Sequence, residues 1–298
     1  MKITEWRNIP PTRFPISYKY FFRWIFAPFK PYIFTQLCKI ENNYLFCKFF
    51  KVINFVLLKW EIKVDFIEKD KMFLISDADN RIFVKRKTYI NLYCNGINSR
   101  LKKLENEYLL EHVELQEKDI VIDVGACVGE VSMILSQKYN CKIFSFEPED
   151  SEFNCMLKNV SNNSFKGYNL PLWNEEKEIL FYAANELHDS SCFETEDYTH
   201  IIKKKTSTLN EIFSNLLKEN SFIKLLKLEA EGAEPEILEG ADGILTKIKY
   251  IVVDVGAERG LKYDTTLVQT INFLRNKNFE LIKFGTPRLM CLFKNKLI

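Results

Sequence analysis

Apolar positions recur along this chain with two different periods, and each period predicts its own elements. Segments at 62–68, 72–76 and 81–86 are short and alternate apolar with polar residues, as half-buried strands do. Asp77 to Asn80 supply turn residues between the last two. Residues 98–112 read as a helix leading into the main domain. From residue 119 onward strands and helices alternate. IVIDVG (120–125) reads as a buried strand, with Val128, Val131, Ile134 and Leu135 at helical spacing behind it. CKIFSFE (141–147) is the next strand, and Phe153, Leu157 and Val160 mark the next helix. A third strand is expected near 165–170, and Ile179 to Tyr182 reads as an additional strand or hairpin. Thr208 to Glu211 spells the capping box T-x-x-E, with Leu209, Ile212, Phe213, Leu216 and Leu217 on one helix face. IKLLKLE (223–229), a helix near 235–245, YIVVDVG (250–256) and a helix near 265–277 continue the alternation. Two closely spaced strands, near 279–284 and 289–293, end it. The predicted class is α/β: a doubly wound, mostly parallel sheet covered on both faces, with one antiparallel strand at its end. Ligands of such sheets sit outside the carboxyl ends of the strands, where strand order reverses.

The first 63 residues follow neither pattern. They hold 11 Lys and Arg against 3 Asp and Glu, whereas the remainder holds 31 against 37. A basic, aromatic-rich arm (1–63), expected to be helical, therefore precedes a strand and helix lead-in (64–115) and the ligand-binding domain (116–298). The arm's most hydrophobic stretches, 16–35 and 44–58, contain Lys19, Arg23, Lys30, Lys48 and Lys51. Neither offers the roughly 20 apolar residues of a bilayer-spanning helix. Two readings of residues 14–60 stay open: an amphipathic cap packed on the domain, or a helix lying on a membrane surface. None of the eight cysteines forms a C-x-x-C pair, which argues against a structural zinc site or a dense disulfide framework. Scattered thiols fit a reducing compartment, and MKITEWRNIPPTRFP lacks the apolar core of a secretory signal. The expected location is the cytoplasm, at the inner membrane face if the arm lies on lipid.

Asp123, Gly125 and Gly129 form D-x-G-x-x-x-G directly after a predicted strand and at a helix start. Gly125 permits a tight turn and close approach of a ligand, and Gly129 lets the helix pack near the strand. Helix N-terminal N–H groups point into such a site. Glu147 ends the next strand, 24 residues after Asp123, where an acid can accept hydrogen bonds from both hydroxyls of a ribose. The dinucleotide spacing G-x-G-x-x-G is absent because position 127 is Cys, which disfavours a nicotinamide cofactor. The bland alternative is a glycine turn that binds nothing.

VIDVGACVGE (121–130), FSFEPE (144–149) and LKLEAEGAEPEILEGA (226–241) resemble the FkbM family of methyltransferases, over roughly residues 89–285. YCNGINSRLKKLENEYLL, before the first motif, is similar to the family's lead-in. The resemblance implies a class I methyltransferase (Rossmann-like) fold with seven strands and S-adenosyl-L-methionine as cofactor. It also implies O-methylation, often of hydroxyls on sugars, glycans or natural products. Asp123, Gly125 and Glu147 are cofactor contacts by that resemblance, and Ala126 and Gly129 belong to the same loop. Trp173, after NLPL, packs either near the adenine or in the core. The family commonly has Asp where this chain has Glu229, and the longer acid carries its charge further from the backbone.

Methyl transfer from a sulfonium to oxygen is an in-line displacement, helped by holding the reactants in line and excluding water. A sugar hydroxyl is a poor nucleophile and gains from a nearby base. The candidate catalytic residues are Glu229 and Glu231, at the end of the fourth strand, and His188, in a loop after the third. Lys227, Glu234, Asp254 and Glu258 are the candidate substrate-binding residues, with Arg259 available to balance the last two. Each has a structural alternative: Glu231 and Glu234 as helix caps, Asp254 and Glu258 in an ion-paired turn, His188 as an exposed loop residue. A divalent metal on three close carboxylates is not favoured, because no further ligand is identifiable.

The leading expectation is an S-adenosylmethionine-dependent O-methyltransferase acting on a hydroxyl of a sugar, glycan, glycolipid or natural product. Its partner is then a small-molecule or glycan acceptor. A nucleic-acid methyltransferase is a competing reading suggested by the basic arm, but the N/D-P-P-Y/F block of amino-methylating DNA enzymes is absent. A non-enzymatic membrane- or partner-binding protein on a methyltransferase fold is the third. The oligomeric state is not legible in the sequence.

Overall fold

The structure, a computed structural model, describes residues 27–160, 162–184, 190–196, 198–214, 216 and 221–298. The chain divides into two compact units, 1–60 and 61–298. In the first, a 3-10 turn (Ala27–Phe29) precedes helices α1 (Lys30–Cys38) and α2 (Asn43–Ile53). Asn42 caps α2, its side-chain oxygen accepting the Leu45 N–H at 3.0 Å. One π-helical turn, Asn54–Leu58, follows. Phe34, Phe46, Phe50 and Leu58 are buried here, and the Phe34 and Trp60 rings lie 4.9 Å apart between centroids.

The second unit begins with β1 (Lys63–Ile67), β2 (Met72–Ser76) and β3 (Arg81–Val84), an antiparallel meander. Asp77 makes the expected turn: its Oδ1 accepts the Asp79 and Asn80 N–H groups at 3.0 and 2.8 Å. Helix α3 (Ile97–Glu107) leads on to β4 (Ile120–Val124) and α4 (Glu130–Gln137). Then come β5 (Lys142–Phe146), α5 (Asp150–Asn159) and β6 (Phe165–Tyr168). A hairpin of β7 (Glu178–Ala184) and β8 (Tyr198–Lys205) precedes α6 (Leu209–Ser214). The chain continues as β9 (Ile223–Leu228), α7 (Glu234–Glu239) and β10 (Ile248–Asp254). It ends with the short pair β11 (Ala257–Arg259) and β12 (Asp264–Thr265), α8 (Leu267–Asn276), β13 (Phe279–Phe284) and β14 (Met290–Asn295).

The large sheet has the order β13-β14-β10-β9-β4-β5-β6. β14 is its antiparallel strand, inserted between β10 and β13 with Val252 opposite Leu292 and Leu281 opposite Phe293. The interior strands carry near-continuous apolar runs because helices cover both faces. Of the two lysines in β9, Lys224 is half-buried and Lys227 is 1% exposed, so the Lys227 charge must be met inside the protein.

Two expectations need correction. β8 was not anticipated: YTHIIKKK is mostly exposed, and its run of lysines hides the apolar alternation by which a strand is recognised. The helix after the capping box is shorter than expected. Thr208 Oγ1 accepts the Glu211 N–H at 3.0 Å, but the helix ends at Ser214 and Leu216 lies exposed in a turn. Leu217 lies outside the described residues. The lead-in is stitched directly to the main sheet's helices. Buried Asn159 accepts from Phe83 N at 2.7 Å and donates to Phe83 O and Val128 O, each at 2.8 Å.

Candidate active site

From β4 the chain runs to β5 and β6 on one side, and from β9 to β10 on the other. The crevice at that reversal opens over the carboxyl ends of β4 and β9. A cavity of about 390 Å³ lies there, large enough for a small molecule. Its walls come from Gly125–Cys127, Glu147–Glu149, Leu170–Leu172, Ser190–Cys192 and Glu229–Glu231. Arg86, Tyr89, Arg100 and Tyr108 of the lead-in, and Arg288 between β13 and β14, complete them.

The glycine turn is shaped by protein contacts. Gly125 has φ +67°, and a Cβ there would stand 1.7 Å from the Glu229 carbonyl oxygen. Glycine is thus required by the neighbouring strand end, before any ligand arrives. Gly129 has φ +86°, and its Cβ would meet Met156 Cγ at 2.9 Å, so the element packed against it is α5 and not the strand. Cys127, where a dinucleotide site would have its second glycine, also takes a left-handed backbone, φ +49°. That geometry aims the Cys127 N–H at Glu147 Oε2, 2.8 Å away, while the Glu149 N–H donates to Glu147 Oε1 at 2.7 Å. Burial and the nearby Glu152 carboxylate push Glu147 up to about 8, against the pull of these two N–H groups.

Asp123 is fully buried and does not line the cavity. Its Oδ1 is 3.1 Å from Lys227 Nζ and its Oδ2 accepts from Ser132 Oγ at 2.7 Å. Lys227 Nζ also donates to Val124 O and Gly125 O at 3.0 and 2.7 Å. Burial opposes the Lys227 charge, but Asp123 and Glu229 outweigh it and raise the Lys227 pKa. The sequence reading gave Asp123 to the cofactor and Lys227 to the substrate; the structure couples them to each other, where they hold the glycine turn.

Glu229 and Glu231 stand together on the cavity wall. Glu229 accepts from the Tyr108 hydroxyl and the Arg288 guanidinium, with Lys227 Nζ 3.4 Å away. Burial favours protonation of Glu229, yet Lys227 and Arg288 hold it below the usual carboxylate value. Glu231 has a left-handed backbone, φ +50°, and its carbonyl accepts from Ser191 Oγ at 3.1 Å. Strained backbone of this kind tends to collect at functional sites.

The other candidates sit elsewhere. Glu234 is buried and accepts the Ala230 and Gly232 N–H groups at 2.8 and 3.3 Å, so it closes the turn that precedes α7, whose N-terminus has no side-chain cap. Burial pushes it up to about 7. Asp254 and Glu258 lie behind the wall: Asp254 Oδ2 is 3.4 Å from Arg288 Nε, and burial followed by Asp254 pushes Glu258 up to about 8. Arg259 does not balance them. It pairs with Glu236 at 2.5 and 2.9 Å and donates to Gly232 O at 2.7 Å. Trp173 is a core residue, 9% exposed, its ring 5.8 Å from Phe193, and the cavity wall beside it is Leu172. His188 lies outside the described residues.

The sequence reading missed the cationic side of the site. Arg86 contacts Glu149 at 2.8 Å and Glu152 at 3.0 Å. Arg100 grips Glu130 with two bonds of 2.8 and 2.9 Å, and the Tyr93 hydroxyl donates to the same acid at 2.8 Å. None of these pairs has a spacing signal, since the partners meet only in the fold. Glu149 stood inside the quoted FSFEPE motif, Glu130 at the end of VIDVGACVGE, and Tyr93 and Arg100 in the lead-in, so single members of the pairs were visible while their pairing was not.

Residues 123–281 match the family model of the Methyltransferase FkbM domain. The chain belongs to the FkbM methyltransferase family. Its strand order, with one antiparallel strand inserted next to the edge, is that of the class I, Rossmann-like methyltransferases, which use S-adenosylmethionine. The hexuronic acid methyltransferase AglP of Haloferax volcanii is 26% identical over 152 residues, covering 48% of this chain and 59% of that protein. The match thus spans about three fifths of AglP's length. The methyltransferase sdnD of Sordaria araneosa is 23% identical over 216 residues, covering 61% of this chain and 82% of that one. Among solved structures, a fibrillarin/Nop5p complex overlaps with a TM-score of 0.42 at 15% identity, over 65% of this chain and 81% of that one. That overlap is partial, and the fold assignment rests on the family match and the strand order.

The FkbM domain's cofactor fits these residues. Glu147 is a buried acid just after β5 that lines the cavity; each oxygen accepts one backbone N–H, and the remaining lone pairs are the acceptors a ribose diol needs. Leu170, Leu172 and Phe181 supply an apolar wall for a purine. Among the described residues no group of three His, Cys, Asp or Glu is disposed to hold a metal ion.

Proposed function

We propose that this FkbM-family enzyme transfers the methyl group of S-adenosylmethionine to a hydroxyl of a sugar, glycan, glycolipid or related natural product. The observation that carries the reading is Glu147, fixed by two backbone N–H groups in a cavity that Glu229 and Glu231 also line. Bound there, the cofactor supplies an electrophilic methyl on a sulfonium. Glu147 holds the ribose, and the apolar wall at Leu170, Leu172 and Phe181 excludes water from the base. Glu229 is a weak base, because Lys227 and Arg288 keep it ionised. Its role is to orient Tyr108 and Arg288 at the cavity mouth and to favour a cation nearby. Glu231 is assigned as the residue that takes the acceptor's proton, with His188 as the second candidate. Similarity to a hexuronic acid methyltransferase supports a sugar-like acceptor. The wall also argues against a phosphate backbone: six glutamates outnumber four Arg and Lys, each of which already has an acidic partner.

The test is transfer of tritiated methyl from the cofactor to a panel of hexuronate-containing glycans and glycolipids. An alkali-stable, ether-linked product is expected. Glu231→Gln should lower turnover by about 10²–10⁴-fold with cofactor affinity retained. An alkali-labile ester would mean a carboxylate acceptor, and label in RNA or DNA alone would replace the acceptor class altogether.

A further inference from the structure

Helix α2 and the turn after it are apolar on two sides. Phe46, Phe50 and Leu58 face inward, at 0, 1 and 0% exposure. On another side Leu45, Phe49, Val52 and Val56 succeed one another at spacings of four, three and four, and so share one helix face. They are 47, 50, 56 and 57% exposed, and Phe55 beside them is 76% exposed. A helix at the surface of a water-soluble domain places charged residues on that face. Here Lys48 and Lys51 flank the stripe and Lys59 ends the turn, all exposed, and no acid stands between Asn42 and Trp60.

Length decides how such a helix can meet a bilayer. α2 has 11 residues, hence a length of about 16 Å, roughly half of a hydrocarbon core of about 30 Å. Among the described residues no helix is long and apolar enough to cross a membrane. A short helix with an apolar stripe and flanking lysines suits the plane of the interface. We infer that this face of α2 docks on an anionic phospholipid surface. Phe49 and Phe55 enter the boundary between headgroups and acyl chains, and Lys48, Lys51 and Lys59 lie against lipid phosphates. Charge selects this occupant over a second copy of the chain, whose identical face would bring lysines against lysines.

The experiment is co-sedimentation of the full chain with vesicles of phosphatidylglycerol and phosphatidylcholine, and with phosphatidylcholine alone. The chain should partition onto the anionic vesicles at least tenfold more strongly, and less so as salt is raised. Phe49→Glu with Phe55→Glu should abolish the partitioning. Lys48→Gln with Lys51→Gln should weaken it on anionic vesicles alone. Circular dichroism and thermal melting identify any variant that fails to fold. The proposal is overturned if the chain stays in the supernatant with both lipids, or if both double variants bind as the wild type does. It is equally overturned if the phenylalanine variant instead splits a dimer in sedimentation velocity, which would make a second copy the occupant.

Discussion

At the residue scale, Glu147 combines burial with two fixed N–H donors and a neighbouring acid, and the balance sets its proton affinity. Its folded value of about 8 lies above the ordinary carboxylate value of 4.5. In the absence of cofactor, the stability linked to this group is therefore fully present below the ordinary value and is lost as pH rises through about 8. Ribose hydroxyls donate to the ionised form, so cofactor binding expels the proton. Affinity for S-adenosylmethionine should rise between pH 6.5 and 8, with up to one proton released. Calorimetry in buffers of different ionisation enthalpy reads both quantities. An affinity flat in pH, with no proton released, would remove Glu147 from that role. Gly125 makes a second case at this scale. Gly125→Ala must add a Cβ 1.7 Å from a backbone oxygen at a positive φ. Overpacking alone costs about 1–3 kcal/mol, and the melting temperature should fall accordingly.

At the element scale, the β3 end is tied to the segment after β5 by Arg86, whose side chain is 6% exposed between Glu149 and Glu152. Removing one partner of a buried ion pair typically costs about 3–5 kcal/mol. Arg86→Met should lower stability by that order in denaturant unfolding. It should also move the pH dependence of cofactor binding upward, because Glu152 already raises Glu147 and would lose its cation. The same element explains what the sequence could and could not tell. β4, β5, β9 and β10 were legible because interior parallel strands must be apolar almost throughout. Glu147, Glu229 and Glu231 were legible because a strand end puts its next residues at the mouth of the crevice. Arg86, Arg100, Tyr108 and Arg288 were not, because they reach the cavity from segments far away in sequence and no local period encodes their meeting. Asp123 and Lys227 stood out as two charges in apolar strands, which must find each other; Asp123 is buried away from the cavity, and Lys227 pairs with it while also lining the cavity.

At the scale of the whole molecule, the chain separates chemistry from a basic, aromatic segment. Residues 61–298 hold the cavity and the FkbM domain, while α1 and α2 belong to a unit of their own. The cavity wall is rich in glutamate, and the unit with α2 presents exposed lysines and aromatics. The proposed methyl donation and the proposed lipid contact thus involve different parts of the chain and can be tested apart. On the proposed function, the crevice over β4 and β9 binds S-adenosylmethionine through Glu147. Titration calorimetry of the purified full chain tests it most directly. Saturable binding at one site per chain is expected, weakened by about 1–3 kcal/mol in Glu147→Ala. Absence of heat and of competition by S-adenosylhomocysteine, or equal affinity in the Glu147 variant, would contradict it.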